Sequence, residues 1–108
     1  MDNENSGVVR ECGPGWNSLI DSLISKCDAV GARVMQIKEK FGCLRFYYEP
    51  PASGWDDELE EMVDRAEDAS RSVCEMCGSP GVLRRNGSYW VKTVCKEHGL
   101  EFGFTEQT

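Results

Sequence analysis

The last third of the chain carries CEMCG at residues 74–78 and CKEHG at residues 95–99, with SPGVLRRNGSYWVKTV between them. This paired spacing constrains the fold more than anything else in the sequence. Cys74 and Cys77 form a C-x-x-C pair. Seventeen residues later Cys95 and His98 form a C-x-x-H pair, and a glycine follows each (Gly78 and Gly99). Asn86-Gly87, midway between them, is the strongest short hairpin signal a sequence can give. The spacing therefore predicts two knuckles facing each other across a β-hairpin. Three thiolates and one imidazole then close a tetrahedral structural Zn2+ site, which makes residues 74–99 a zinc ribbon.

A complete ligand set argues against catalysis at that metal, because a hydrolytic zinc keeps one position open for water. His98 is the only histidine, so its use as a ligand leaves no imidazole for general base work. There is no phosphate-binding glycine loop, no Ser/His/Asp set and no deaminase signature. The expectation is a protein that is not an enzyme. A metal-dependent nuclease is the least favoured alternative, since it needs an open metal position.

Ahead of the ribbon, Trp16, Leu19, Ile20, Leu23, Ile24 and Cys27 repeat at helical spacing and predict a helix over residues 15–29, ending near Gly31. RVMQIKEKFGCLRFYYEPP then reads as two strands around a Phe41-Gly42 break. Met35, Ile37 and Glu39 share one face of the first strand, and Leu44, Phe46 and Tyr48 one face of the second. Bringing the apolar sets together requires an even loop, either Phe41-Gly42 alone or Lys40 to Cys43. Pro50-Pro51 ends the hairpin. Ser53 with Asp56 fits a capping box for a second helix, whose apolar face is Trp55, Leu59, Met62, Val63, Ala66, Ala69 and Val73.

The predicted fold is α+β: a compact αββα body over residues 13–73, a flexible polar N-terminus over 1–12, the ribbon over 74–99 and a tail over 100–108. The predicted core is Trp16, Leu19, Ile20, Leu23, Ile24, Met35, Ile37, Leu44, Phe46, Tyr48, Leu59, Met62, Val63 and Ala66. Of the other cysteines, Cys27 continues the apolar stripe, Cys12 opens CGPGW, and Cys43 sits beside the turn on the polar hairpin face. Cys12 and Cys43 together are too few to hold a second metal.

Charge bears on partners. Residues 1–73 carry eight basic against fifteen acidic side chains and residues 74–108 carry four against four, so the net charge of −7 belongs to the first part. Such a body is ill suited to non-specific adhesion to nucleic acid, which depends on phosphate neutralisation. No apolar run reaches the roughly 18 residues that span a bilayer, and MDNENSGVVRE has no signal-peptide character. The expected location is a reducing cytoplasm, with the cysteines as thiols or metal ligands. Two surfaces are candidates for binding. One is the polar hairpin face, with Lys38, Lys40, Arg45 and Tyr47 extended by Arg84 and Arg85, a basic and aromatic mixture suited to nucleic acid. The other is the acidic helix face of Asp56, Asp57, Glu60, Glu61, Asp64, Glu67 and Asp68, suited to a basic protein groove. Each has an ordinary solvated face as its alternative. No small-molecule substrate is evident.

The block QIKEKFGCLRFYYE, preceded by CGPGW and followed by the CxxCG ribbon, resembles a group of small proteins encoded by phages and prophages. In that group a CGPGW helix, a KEKFGxLRFYY hairpin, a second helix and a C-terminal ribbon occur in the same order, so the likeness covers about residues 11–99. It implies a phage accessory protein acting in the cytoplasm of an infected bacterium, and it transfers no catalytic residue. The group commonly has glycine where this chain has Cys43. Together these readings predict a non-enzymatic zinc-binding protein that contacts a host or phage protein, inhibiting or regulating it. The alternative is a nucleic-acid-binding regulator that uses the basic hairpin face.

Overall fold

A computed structural model of the chain describes residues 4–87 and 90–106. After a 3-10 turn at Glu4–Gly7 the elements are β1 (Arg10–Glu11), α1 (Asn17–Val30), β2 (Arg33–Lys40), β3 (Cys43–Glu49), α2 (Asp57–Ser70), β4 (Val82–Asn86), β5 (Trp90–Val94), α3 (Lys96–Phe102) and β6 (Thr105–Glu106). They form two three-stranded sheets, in the orders β1-β2-β3 and β5-β4-β6.

The αββα body is as the periodicity predicts. A 3-10 turn at Pro14–Trp16 leads into α1, and Gly31 ends the helix in the left-handed conformation, its N–H bonded to the Cys27 carbonyl. The hairpin takes the shorter of the two allowed loops. Lys40 pairs with Cys43, so Phe41 and Gly42 alone make the turn, with φ of 54° and 79°. Both positive values fit a type I′ turn. Ile37 lies opposite Phe46 and Glu39 opposite Leu44, the parity expected.

Met35 is an exception. The register shifts between Val34 and Gln36, so that Val34 rather than Met35 faces Tyr48. This bulge leaves Met35 51% exposed and puts Val34 in the core in its place. The remaining predicted core residues are buried, or partly buried against that core in the case of Leu19, Tyr48 and Met62; Cys27 and Ala32 join them.

The second helix also starts later than the capping box implies. Asp56 itself is the cap, its Oδ1 accepting from the Leu59 N–H at 2.9 Å. Trp55 therefore lies before the helix, exposed, with its ring tilted against that of Tyr48. Near its C-terminus α2 shields the outer edge of β3. Glu67 Oε2 accepts from the Phe46 N–H, and Ser70 Oγ accepts from the Leu44 N–H, each at 2.9 Å. Edge N–H groups are thereby withdrawn from intermolecular pairing. Cys43, placed by parity on the polar face, is buried against this last turn of α2, its Sγ 3.4 Å from the Glu67 carbonyl oxygen.

The chain ends differ from the sequence-based division. Residues 4–12, polar enough to read as a flexible terminus, are tied into the body. The buried Asn5 amide donates to Asp28 Oδ1 and the Ala32 carbonyl and accepts from the Val34 N–H. Arg10 reaches Asn17 and Asp21, and β1 pairs in parallel with β2. The tail likewise folds back: α3 runs past residue 99, and β6 pairs with β4, Arg84 opposite Glu106. In the β4–β5 hairpin Asn86 pairs with Trp90, which puts three residues in the loop rather than two. Ser88 and Tyr89 of that loop lie outside the described residues.

Candidate metal centre

The ligand atoms of Cys74, Cys77, Cys95 and His98 all lie within 4.8 Å of one another, an arrangement that can hold a metal ion. The Cys77 and Cys95 sulfurs are 3.8 Å apart. His98 presents Nδ1, 3.7 Å from Cys74 Sγ and 3.2 Å from Cys95 Sγ.

The two ligand pairs are built differently. Residues 74–78 form a true knuckle, closed by the Gly78 N–H on the Cys74 carbonyl, with φ of 83° at Gly78. CKEHG, expected to mirror it, is instead the start of a helix: Cys95 caps α3 and His98 sits in its first turn. Gly99 is helical rather than part of a turn, and a Cβ there would lie 2.6 Å from Arg84 Cδ, so the arginine side chain would have to move. A C-x-x-H spacing suits either geometry, so sequence does not separate them.

The surroundings favour thiolates at the outer ligands. Ser79, through its hydroxyl and N–H, holds the Cys77 thiol down at about 6, and the His98 backbone N–H lowers Cys95. Burial acts in the other direction on Cys74, which is fully enclosed.

Cys74 is enclosed because the ribbon docks on the body through this knuckle. Glu75, between the two cysteines, is only 2% exposed. Its Oε2 accepts from the Gly13 N–H at 2.8 Å, and its Oε1 meets Lys92 Nζ, which also bridges to Glu39. Gly15 N–H donates to the Glu75 carbonyl, and Trp16 Nε1 to the Val73 carbonyl. A Cβ at Gly15 would stand 2.1 Å from the Cys74 carbonyl oxygen, closer than any packing allows.

On the other side of the seam, Glu39 Oε2 accepts from the Gly42 N–H and Thr93 Oγ1 donates to the Gly42 carbonyl. A Cβ at Gly42 would lie 2.4 Å from Leu83 Cδ1. CGPGW and KEKFG, the most distinctive blocks of the chain, are thus the sockets into which the ribbon fits.

The structure keeps some residues of each predicted binding face together and separates others. Lys38 and Arg45 are direct cross-strand partners, and Lys40 and Tyr47 are exposed nearby. Arg84 does not join them: its Nε donates to the Val94 carbonyl and its stem packs on Gly99. Arg84 and Arg85 are successive strand residues and point to opposite faces, so they cannot both extend one platform. On α2, Asp56 is spent as a cap, Glu67 on the β3 edge, Glu60 on Trp55 and Glu61 on Arg65; Asp57, Asp64 and Asp68 complete the face.

Sequence reasoning also missed a cavity of about 440 Å3 on the ribbon, lined by Met76, Asn86, Trp90, Lys92, Phe102 and Phe104. Trp90 is 63% exposed and Phe102 43% exposed. The aromatic residues come from β5 and from the end of α3 and just beyond it, and Met76 and Asn86 from two further segments, so no local pattern announces the groove.

No helix among the described residues is long and apolar enough to cross a membrane. Comparison with protein-family models, curated protein sequences and solved structures returns no match for this chain.

Proposed function

We propose that this chain is a zinc-stabilised, non-enzymatic binding protein of phage origin that acts in the host bacterial cytoplasm by contacting a partner protein, which it inhibits or regulates. The observation that carries this reading is the exposed aromatic groove of the ribbon. A soluble domain rarely leaves a tryptophan and a phenylalanine open beside one another without using them, and aromatic side chains dominate protein–protein binding energy. The partner's chemistry follows from charge: a chain of net charge −7 attracts a basic surface at long range, and the groove then takes its apolar side chain. The phage setting rests on the resemblance of the CGPGW and KEKFG blocks.

The ion is zinc in this reading. Zinc–sulfur bonds of about 2.3 Å and zinc–nitrogen bonds of about 2.0–2.1 Å imply tetrahedral edges of about 3.8 Å and about 3.6 Å. The Cys77–Cys95 and Cys74–His98 separations of 3.8 and 3.7 Å match, and the Cys95–His98 edge of 3.2 Å is shorter. Four protein ligands leave no open position, which supports a structural rather than a catalytic metal.

The test is recovery of a host protein by the zinc-loaded chain. One basic protein is expected to be retained by the wild type and lost with Trp90→Ser, with the zinc content unchanged. Recovery of nucleic acid and no protein would overturn the reading in favour of a nucleic-acid regulator working through Lys38, Lys40, Arg45 and Tyr47. Binding of that kind must weaken steeply as salt rises.

A further inference from the structure

A second cavity, of about 270 Å3, lies on the seam where the β2–β3 turn, the end of α2 and the ribbon meet. Its walls include Lys40, Phe41, Arg45, Arg71, Leu83 and Thr93. We infer that this cavity binds the phosphate group of a nucleotide unit, held by Arg45, Arg71 and Lys40, with the base stacked on Phe41.

Four observations point to that ligand. Like Arg33, Lys38 and Lys96, Lys40, Arg45 and Arg71 have no carboxylate within ion-pair distance among the described residues, but these three meet at one cavity. Three cations converging on one cavity, none in ion-pair contact with a carboxylate, suit an anion there. Arg45 Nε is moreover buried with no hydrogen-bond partner, an arrangement native structures rarely tolerate unless something else supplies the acceptor. Two guanidinium forks with an ammonium beside them suit a phosphate oxyanion.

Phe41 supplies the fourth observation. It is 69% exposed and sits at φ 54°, a conformation that costs a bulky side chain and favours asparagine or glycine. Nothing in the fold repays that strain by burying the ring. The ring stands at the rim of the cavity with Lys40 Nζ 5.8 Å from its centroid, which is how base-stacking platforms combine aromatic and cationic groups.

The charged neighbours limit the ligand. Asp64, Glu67 and Asp68 line an adjoining hollow that shares Arg45 and Arg71. Those carboxylates disfavour a highly charged polyphosphate and leave room for a single phosphate. Leu83 and Thr93 belong to the ribbon, so the cavity is complete only when the ribbon is docked. Binding is therefore coupled to the metal centre.

The test is titration of the zinc-loaded full chain with 5′-AMP, with an eight-residue oligothymidylate and with an acidic peptide, the binding isotherms measured by calorimetry. Saturable binding of AMP or the oligonucleotide is expected, at least tenfold weaker in Arg45→Gln and in Phe41→Asn, and lost on chelation. Because Phe41→Asn relieves the strained turn, its melting temperature should be unchanged or higher, so weaker binding in that variant cannot come from unfolding. Tighter binding of AMP would identify a free nucleotide as the source; tighter, salt-sensitive binding of the oligonucleotide would identify a single strand. Absence of binding by both, binding indifferent to the two substitutions, or capture of the acidic peptide alone at these residues would overturn the inference.

Discussion

The body and the ribbon hold together by different physics. Thirteen buried apolar residues from α1, β2, β3, α2 and the turns flanking α1 form one continuous cluster in the body. Among the described residues the ribbon region buries only Cys74, Val94 and Phe104 of its apolar side chains. A three-stranded sheet with so little core is not stable alone, and a bound metal adds what apolar burial lacks. The contrast predicts that the ribbon depends on a metal held by its Cys/His cluster and on its docking to the body, while the body depends on neither to the same degree.

The strongest way to break this contrast is to remove a ligand. Cys95→Ser should abolish metal retention and melt β4, β5 and α3, a loss on the scale of the about 10–16 kcal/mol measured for zinc in finger peptides. Circular dichroism should still report the helices of the body. A core substitution probes the other half: Leu23→Ala should cost the body about 2–5 kcal/mol in denaturant titrations. Because the ribbon docks on the turn that leads into α1, that variant should weaken the metal site too, whereas Cys95→Ser should leave the body largely folded. Equal and mutual loss in both variants would make the chain one cooperative unit.

Smaller effects sharpen the seam. Gly15→Ala forces a methyl against the Cys74 carbonyl and should cost about 1–3 kcal/mol, with a lower zinc affinity although no ligand is touched. Metal competition with a chromogenic chelator measures it. The smallest effect concerns pH. Burial pushes the Cys12 and Cys27 thiols up to about 11 from 9.0. Groups raised in the folded state stabilise fully below their unfolded value, so the body should lose stability as pH rises from about 9 through 11. Cys77 behaves in the opposite sense: Ser79 lowers it to about 6, so proton competition at that ligand should set in on the acid side. Thermal melts at pH 8 and pH 10.5 check the first, and a smaller loss in Cys27→Ala, smaller still in the Cys12→Ala, Cys27→Ala double variant, identifies the thiols.

What was legible in the sequence follows the same division. Period-3.6 and period-2 patterns expose α1, α2 and the β2–β3 hairpin, because an apolar core imposes local periodicity. The ligand set was legible because metal chemistry fixes residue type and spacing. Val34 replaced Met35 because a bulge shifts parity, and no propensity marks that bulge. Asn5 and Arg10 hid the ordered N-terminus, since polar side chains that satisfy specific partners look the same in sequence as solvated ones. Glu75 was hidden for the same reason: a carboxylate inside a knuckle gives no sign that Gly13 and Lys92 wait for it. The groove around Trp90 and the cation cluster at Arg45 and Arg71 assemble from distant segments, which no local pattern reports.

The central claim is that the metal organises the ribbon, and that the ribbon sits on an independently folded body through CGPGW and KEKFG. Hydrogen exchange on the full chain, with zinc and after chelation, tests it most directly. The account predicts that protection collapses across residues 74–99 and falls at Gly15 and Gly42, while the interiors of α1 and β2 keep theirs. Unchanged protection across the ribbon without zinc, or equal collapse of α1 and β2, would contradict it.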